Sequence, residues 1–135
     1  MSTADERAVT VHVCVTCRHG ETPDDVPRPG ARLHQALETA LAERGSDVPL
    51  RIEPVECLSV CKRPCTVAVS SEGRWTYVYG DLDPATAAET ILKGVSRYGR
   101  TTDGIVPWRE RPVEFRKGVV ARIPPAWTRL KDAAE

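Results

Sequence analysis

Residues 8–17 read Ala-Val-Thr-Val-His-Val-Cys-Val-Thr-Cys. Up to Cys14 the positions alternate: Val9, Val11 and Val13 fall on one side, and Thr10, His12 and Cys14 on the other. A period of two predicts a β-strand with one face against a core. Cys14 and Cys17 close that strand with a C-x-x-C pair. Further along, Pro23, Pro27 and Pro29 predict a loop from about Arg18 to Gly30. Residues 31–44 then predict a helix, because Leu33, Leu37 and Leu41 recur every four residues and Ala36 and Ala40 widen the stripe. Gly45 supplies its C-terminal stop. Residues 50–56 predict a second strand, and Pro54 puts it at a sheet edge or near a strand end.

After a cysteine-rich stretch at 57–65 come two β-rich runs, 66–69 and 75–79, whose short polar connection predicts a hairpin. Asp83 and Pro84 then read as N-cap and first residue of a second helix. Its apolar face is Ala88, Ile91, Leu92, Val95 and Tyr98, and Gly99 ends it. Strand, helix and strand followed by hairpin and helix is an α/β order of thioredoxin-like type, β-α-β then β-β-α. The expected organisation is an N-terminal arm at 1–7, this domain at 8–99, and a C-terminal extension at 100–135 that packs on the domain or on a partner. In that extension Pro107, Pro112, Pro124 and Pro125 interrupt every candidate element, while Trp108, Val113, Phe115, Val119, Ile123 and Trp127 offer apolar anchors. An irregular, extended tail is therefore expected.

At 135 residues the chain suits one such domain. Nineteen basic residues balance nineteen acidic ones, so no long-range field favours nucleic acid or an anionic membrane. No apolar run reaches the ~20 residues that span a bilayer. The N-terminus carries Asp5 and Glu6 where a secretory signal needs basic and then apolar residues. A cytoplasmic protein is expected. Five cysteines are an odd number, and reducing surroundings disfavour a disulfide framework, which leaves metal binding or redox chemistry.

Cys57, Cys61 and Cys65 form C-x-x-x-C-x-x-x-C just after the second strand. In a β-α-β crossover the two strands run parallel, so their C-terminal ends meet at one sheet edge. The two cysteine groups are thereby brought together. Four soft thiolates at one site suit a [2Fe–2S] cluster or a tetrahedral zinc ion.

Cys57-Leu58-Ser59-Val60-Cys61, followed by Lys62-Arg63-Pro64, a β-run and Trp75-Thr76-Tyr77, resembles thioredoxin-like [2Fe–2S] ferredoxins, a group that includes the small cluster-bearing subunit of bacterial NADH:quinone oxidoreductase. The full chain is also similar to a bacterial family described as predicted metal-binding proteins. That similarity lies in the Cys-Val-Thr-Cys-Arg opening, Cys-Lys-Arg-Pro-Cys-Thr-Val-Ala, Gly-Asp-Leu-Asp-Pro and Asp-Gly-Ile-Val-Pro-Trp-Arg-Glu-Arg-Pro. The resemblance implies an electron carrier with two ligands in the C-x-x-x-C pair and two after the first strand. It also implies a redox partner protein, a homodimer, and a place beside cobalamin or cobalt metabolism. Carried over by position, the ligands are Cys14, Cys17, Cys57 and Cys61. Two features depart from the ferredoxin pattern, which separates the first two ligands more widely and has proline where Cys65 stands. Either Cys17 or Cys65 could be the fourth ligand.

Other readings compete. A zinc or cobalt binding and delivery module would use the same thiolates without redox activity. A dithiol enzyme would use Cys14 and Cys17, but its reactive thiol needs a helix N-terminus close by, and three prolines intervene here. His12 and His19 are candidates for a mixed site, and His34 lies on the first helix. Lys62 and Arg63 would raise the potential of an anionic cluster and steer an acidic partner. No nucleophile elbow, phosphate-binding glycine loop or H-E-x-x-H helix is present, so a non-catalytic role is expected.

Overall fold

The computed structural model describes residues 7–16, 28–60 and 62–126. Cys17, Cys61, His19 and Trp127 lie outside the described residues, as do most of the 18–30 loop and of the N-terminal arm. Five strands form one mixed sheet in the order β2-β1-β3-β4-β5. The strands are β1 (Val9–Cys14), β2 (Leu50–Val55), β3 (Val67–Ser71), β4 (Thr76–Tyr79) and β5 (Val119–Ile123). Helices α1 (Pro29–Arg44) and α2 (Ala87–Gly99) pack against each other, and a short α3 (Val113–Lys117) precedes β5.

β1 is central and alternates as its sequence predicts, with Val9, Val11 and Val13 buried and Thr10 and His12 only partly so. It pairs in parallel with β2, Val9 opposite Leu50 through Cys14 opposite Val55. The crossover through α1 accounts for that direction, since parallel neighbours cannot be joined by a tight turn. β2 is an edge strand, which accommodates Pro54 and its missing N–H. β1 pairs antiparallel with β3, and β3 with β4, giving the expected hairpin.

The helix starts differ from expectation. α1 begins at Pro29, not after the proline loop, because a proline at the first helical position gives up an N–H that has no intrahelical partner anyway. α2 begins at Ala87 and not at Pro84. Asp83 does act as a cap, but of the preceding turn: its Oδ1 accepts the Ala85 N–H at 2.8 Å, and its carbonyl accepts Ala87 N–H at 2.9 Å. Gly45 ends α1 as read, at φ 69° with its N–H on the Leu41 carbonyl at 2.8 Å.

The tail contributes regular structure. Pro107 and Pro112 sit immediately before a 3-10 turn (Trp108–Glu110) and α3, and Pro124 follows β5. The prolines bound these elements and do not break them. β5 pairs antiparallel with β4, with a shift of register between Val78 and Tyr79. Phe115 is buried and stacks on Tyr79 with ring centroids 3.8 Å apart. The buried Arg74 joins the hairpin turn to the end of α2. It donates to the carbonyls of Thr101 at 2.9 Å and Gly99 at 2.8 Å, and to the Ser71 hydroxyl at 2.7 Å. Beside it, burial pushes the Tyr98 phenol well above the ordinary tyrosine range, opposed only in part by the Arg74 charge. Its hydroxyl donates to the Trp75 carbonyl at 2.6 Å.

Gly94 is the contact point between α2 and the tail, since a Cβ there would overlap the Phe115 ring. Alanine normally favours a helix over glycine by about 1 kcal/mol. Here the overlap wins: Gly94→Ala is expected to destabilise the protein by about 1–3 kcal/mol in urea unfolding, the usual cost of overpacking. A stabilised variant would mean that α3 yields freely.

Candidate metal centre

The parallel β1–β2 pair decides where the cysteines fall. Cys14 is the last residue of β1 and lies opposite Val55, the last of β2, so Cys57 follows two residues beyond the same edge. Val15 N–H donates to the Val55 carbonyl at 2.9 Å, which continues the pairing. The Cys14 sulfur lies 3.8 Å from the Glu56 carbonyl and 3.6 Å from the Thr16 hydroxyl. The Thr16 hydroxyl itself donates to that carbonyl. On the opposite side of β1, the Cys14 N–H donates to the Thr66 carbonyl at 3.1 Å, which draws Cys65 to this edge as well. Cys14, Cys57 and Cys65 are thus all at the end of the sheet where β1 and β2 finish and β3 starts.

Their surroundings differ. Cys65 is fully buried among the core side chains, Cys14 is buried, and Cys57 is exposed. The Cys57 sulfur accepts the Ser59 N–H at 3.1 Å, a local turn that holds the side chain in place. Ser59 takes φ 59° to make it, in the left-handed region that non-glycine residues enter uncommonly. His12 is half-buried within β1 and His34 half-buried on α1.

The second half of the cysteine stretch is tied to the segment after β4. Cys65 and Leu82 exchange backbone hydrogen bonds, each 3.1 Å long. Asp81 N–H donates to the Arg63 carbonyl at 2.9 Å, and the Asp81 carboxylate takes both Nε and Nη2 of Arg63 at 2.8 Å. Arg63, read from the sequence with Lys62 as a charge that would raise a cluster's potential, is therefore paired with Asp81. Lys62 remains exposed. Sequence reasoning did not assign Asp81 a role. The signal was the Gly-Asp-Leu-Asp-Pro run at 80–84, which stands out as a motif but has no chemistry until Arg63 is placed beside it.

Among the described residues, no three His, Cys, Asp or Glu side chains gather closely enough to hold an ion. Cys17 and Cys61 lie outside them, as noted above, so the four-thiolate set is not fully described. The described donors have thiophilic chemistry: one sulfur at the end of β1 and one two residues beyond the end of β2, with an N–H···S bond to the exposed one. Hydrogen bonds of this type are among the means by which proteins set the potential of an iron–sulfur cluster.

A mixed sheet of this topology is the thioredoxin-like α/β fold. The structure of a thioredoxin-like [2Fe–2S] ferredoxin from Aquifex aeolicus aligns with a TM-score of 0.54 and 21% identity, over 89% of this chain and 97% of the other. A second structure, of the wild-type ferredoxin of that description from the same organism, aligns with a TM-score of 0.50 and 21% identity, over 84% of this chain and 96% of the other. The chain belongs to the family described as "Protein of unknown function (DUF1636)", whose model matches residues 11–125. No curated protein matches it significantly. Among the described residues no helix is long and apolar enough to cross a membrane.

Proposed function

We propose that this protein is a one-electron carrier whose [2Fe–2S] cluster is held by the thiolates of Cys14, Cys17, Cys57 and Cys61. The observation that carries the reading is the parallel β1–β2 register, which brings Cys14 and Cys57 to one sheet edge. In the sequence these are the first cysteines of a C-x-x-C and a C-x-x-x-C, whose second members are Cys17 and Cys61. That the fold is shared with proteins described as [2Fe–2S] ferredoxins supports a cluster over zinc.

When bound, the cluster would supply a reversible one-electron couple, and the protein's part is ligand geometry, local field and partner access. Cys14 enters from the buried side and Cys57 from the solvent side. The arrangement suits a centre near the surface that a partner protein can approach. Ser59 orients the Cys57 sulfur through its backbone N–H. Cys65 is assigned to packing, because its side chain is enclosed by the core.

Two experiments test this. Cys65→Ala is expected to retain the full iron and sulfide content and to cost about 1–2 kcal/mol of stability, as a small buried truncation does. A cluster-free Cys65→Ala protein would move Cys65 into the ligand set. Stepwise reduction and reoxidation of the purified protein should consume one electron per chain and restore the original spectrum. Two electrons per chain, with thiols appearing and disappearing in pairs, would mean dithiol chemistry instead.

A further inference from the structure

We infer that Asp81 and Arg63 form a charge-compensated clamp that positions the cysteine loop and sets the field at the centre it holds. The inference rests on the electron-carrier reading and extends it to residues outside the ligand set. Arg63 lies two residues after Cys61 and two before Cys65. A guanidinium there, left alone, would stabilise the more negative reduced state and raise the potential. It is not left alone. Nε and Nη2 both bond Asp81 Oδ2 at 2.8 Å.

The backbone makes the same connection. Asp81 holds φ 59°, and its N–H donates to the Arg63 carbonyl at 2.9 Å, so main chain and side chain of residue 81 both address residue 63. Gly80 allows this approach, since a Cβ there would lie 2.9 Å from the Arg63 carbonyl oxygen and 3.1 Å from Val120 Cγ2. Its N–H is anchored in turn on the Gly118 carbonyl at 2.8 Å. A left-handed aspartate is an uncommon backbone state, and held states of this kind gather at functional sites. The side chains are 35% and 57% exposed, and ion pairs so placed add little to overall stability. What the pair does supply is a fixed position for residue 63 and a guanidinium whose charge is offset, which leaves Lys62 as the exposed cation of this stretch.

The test is the equilibrium reduction potential of oxygen-free protein, with iron and sulfide assayed on each sample, for four forms: wild type, Asp81→Asn, Arg63→Gln and the double variant. Asp81→Asn should raise the potential, because the guanidinium loses its counter-charge. Arg63→Gln should lower it, because the carboxylate is then uncompensated. The double variant should return near wild type, and both single shifts should shrink at high salt. A role confined to loop packing would move both single variants the same way or neither, and either result overturns the inference.

A second readout does not depend on the cluster. On metal-free protein, iodoacetamide labelling of Cys57, followed by peptide mass, should be several-fold faster in Asp81→Asn and return toward wild type in Asp81→Glu. Equal rates in all three would overturn the positioning role. A wild-type protein that binds no cluster would end the electron-carrier reading, and the labelling rates would still judge the clamp.

Discussion

Cys57→Ala is expected to give a protein with background iron and sulfide and no visible absorption, yet with the fold intact. Cys57 is exposed, and in the structure its sulfur accepts one backbone N–H, from Ser59, near a hydroxyl of the same residue. Truncating such a side chain costs the fold little, within about 0.5 kcal/mol. The metal-free forms of wild type and variant should therefore melt within about 2–4 °C of one another. Loss of the centre without loss of the fold separates a ligand from a packing residue. Alanine is preferred to serine because a serine oxygen can still coordinate. If Cys57→Ala kept a full complement of iron and sulfide, the exposed edge would not hold the centre, and the proposed ligand set would fail.

The second large effect lies far from the cysteines. Phe115→Ala is expected to cost about 3–5 kcal/mol in urea unfolding, the range for removing a buried aromatic ring. The ring stacks on Tyr79 of β4 and fills the space left by Gly94 of α2, so one side chain joins sheet, helix and tail. Tyr79 in turn stacks on Tyr77, with centroids 5.7 Å apart, which carries the packing along the strand. Because Phe115→Ala makes room for a methyl at position 94, the Gly94→Ala/Phe115→Ala double variant should lose less than the sum of its parts. Strict additivity would show that the two positions do not press on each other. A loss below about 1 kcal/mol for Phe115→Ala would mean that the tail docks without this ring.

Much of this was legible in the chain. Alternation around Val11, the leucine repeat of α1 and the hairpin composition predict the element order, and topology rules then bring Cys14 and Cys57 to one edge. The misread parts share a cause. Proline is a strong local signal with two meanings, and only tertiary context separates them: Pro29, Pro107 and Pro112 start helical turns by giving up an N–H that needs no partner. β5 was not foreseen because Val119 to Ile123 is short, partly charged and mostly exposed, so its evidence is the edge of β4 and not a pattern of its own. The Arg63–Asp81 pair is long-range in the same sense. Eighteen residues separate the partners, and no periodicity links them. Arg74 reads as a turn residue of the hairpin, and its burial depends on carbonyls at the end of α2. Residue type and spacing reveal ligands. They do not reveal what holds the ligands still.

The most direct measurement is the visible and EPR spectrum of protein purified without oxygen, with iron, sulfide and zinc determined on the same sample. The account predicts a red-brown protein with iron and sulfide in equal amounts, two of each per chain as a [2Fe–2S] cluster requires. It should be EPR-silent as isolated and show a spin-half signal after reduction. A colourless protein with one zinc per chain, unable to assemble a cluster from iron and sulfide, would contradict it.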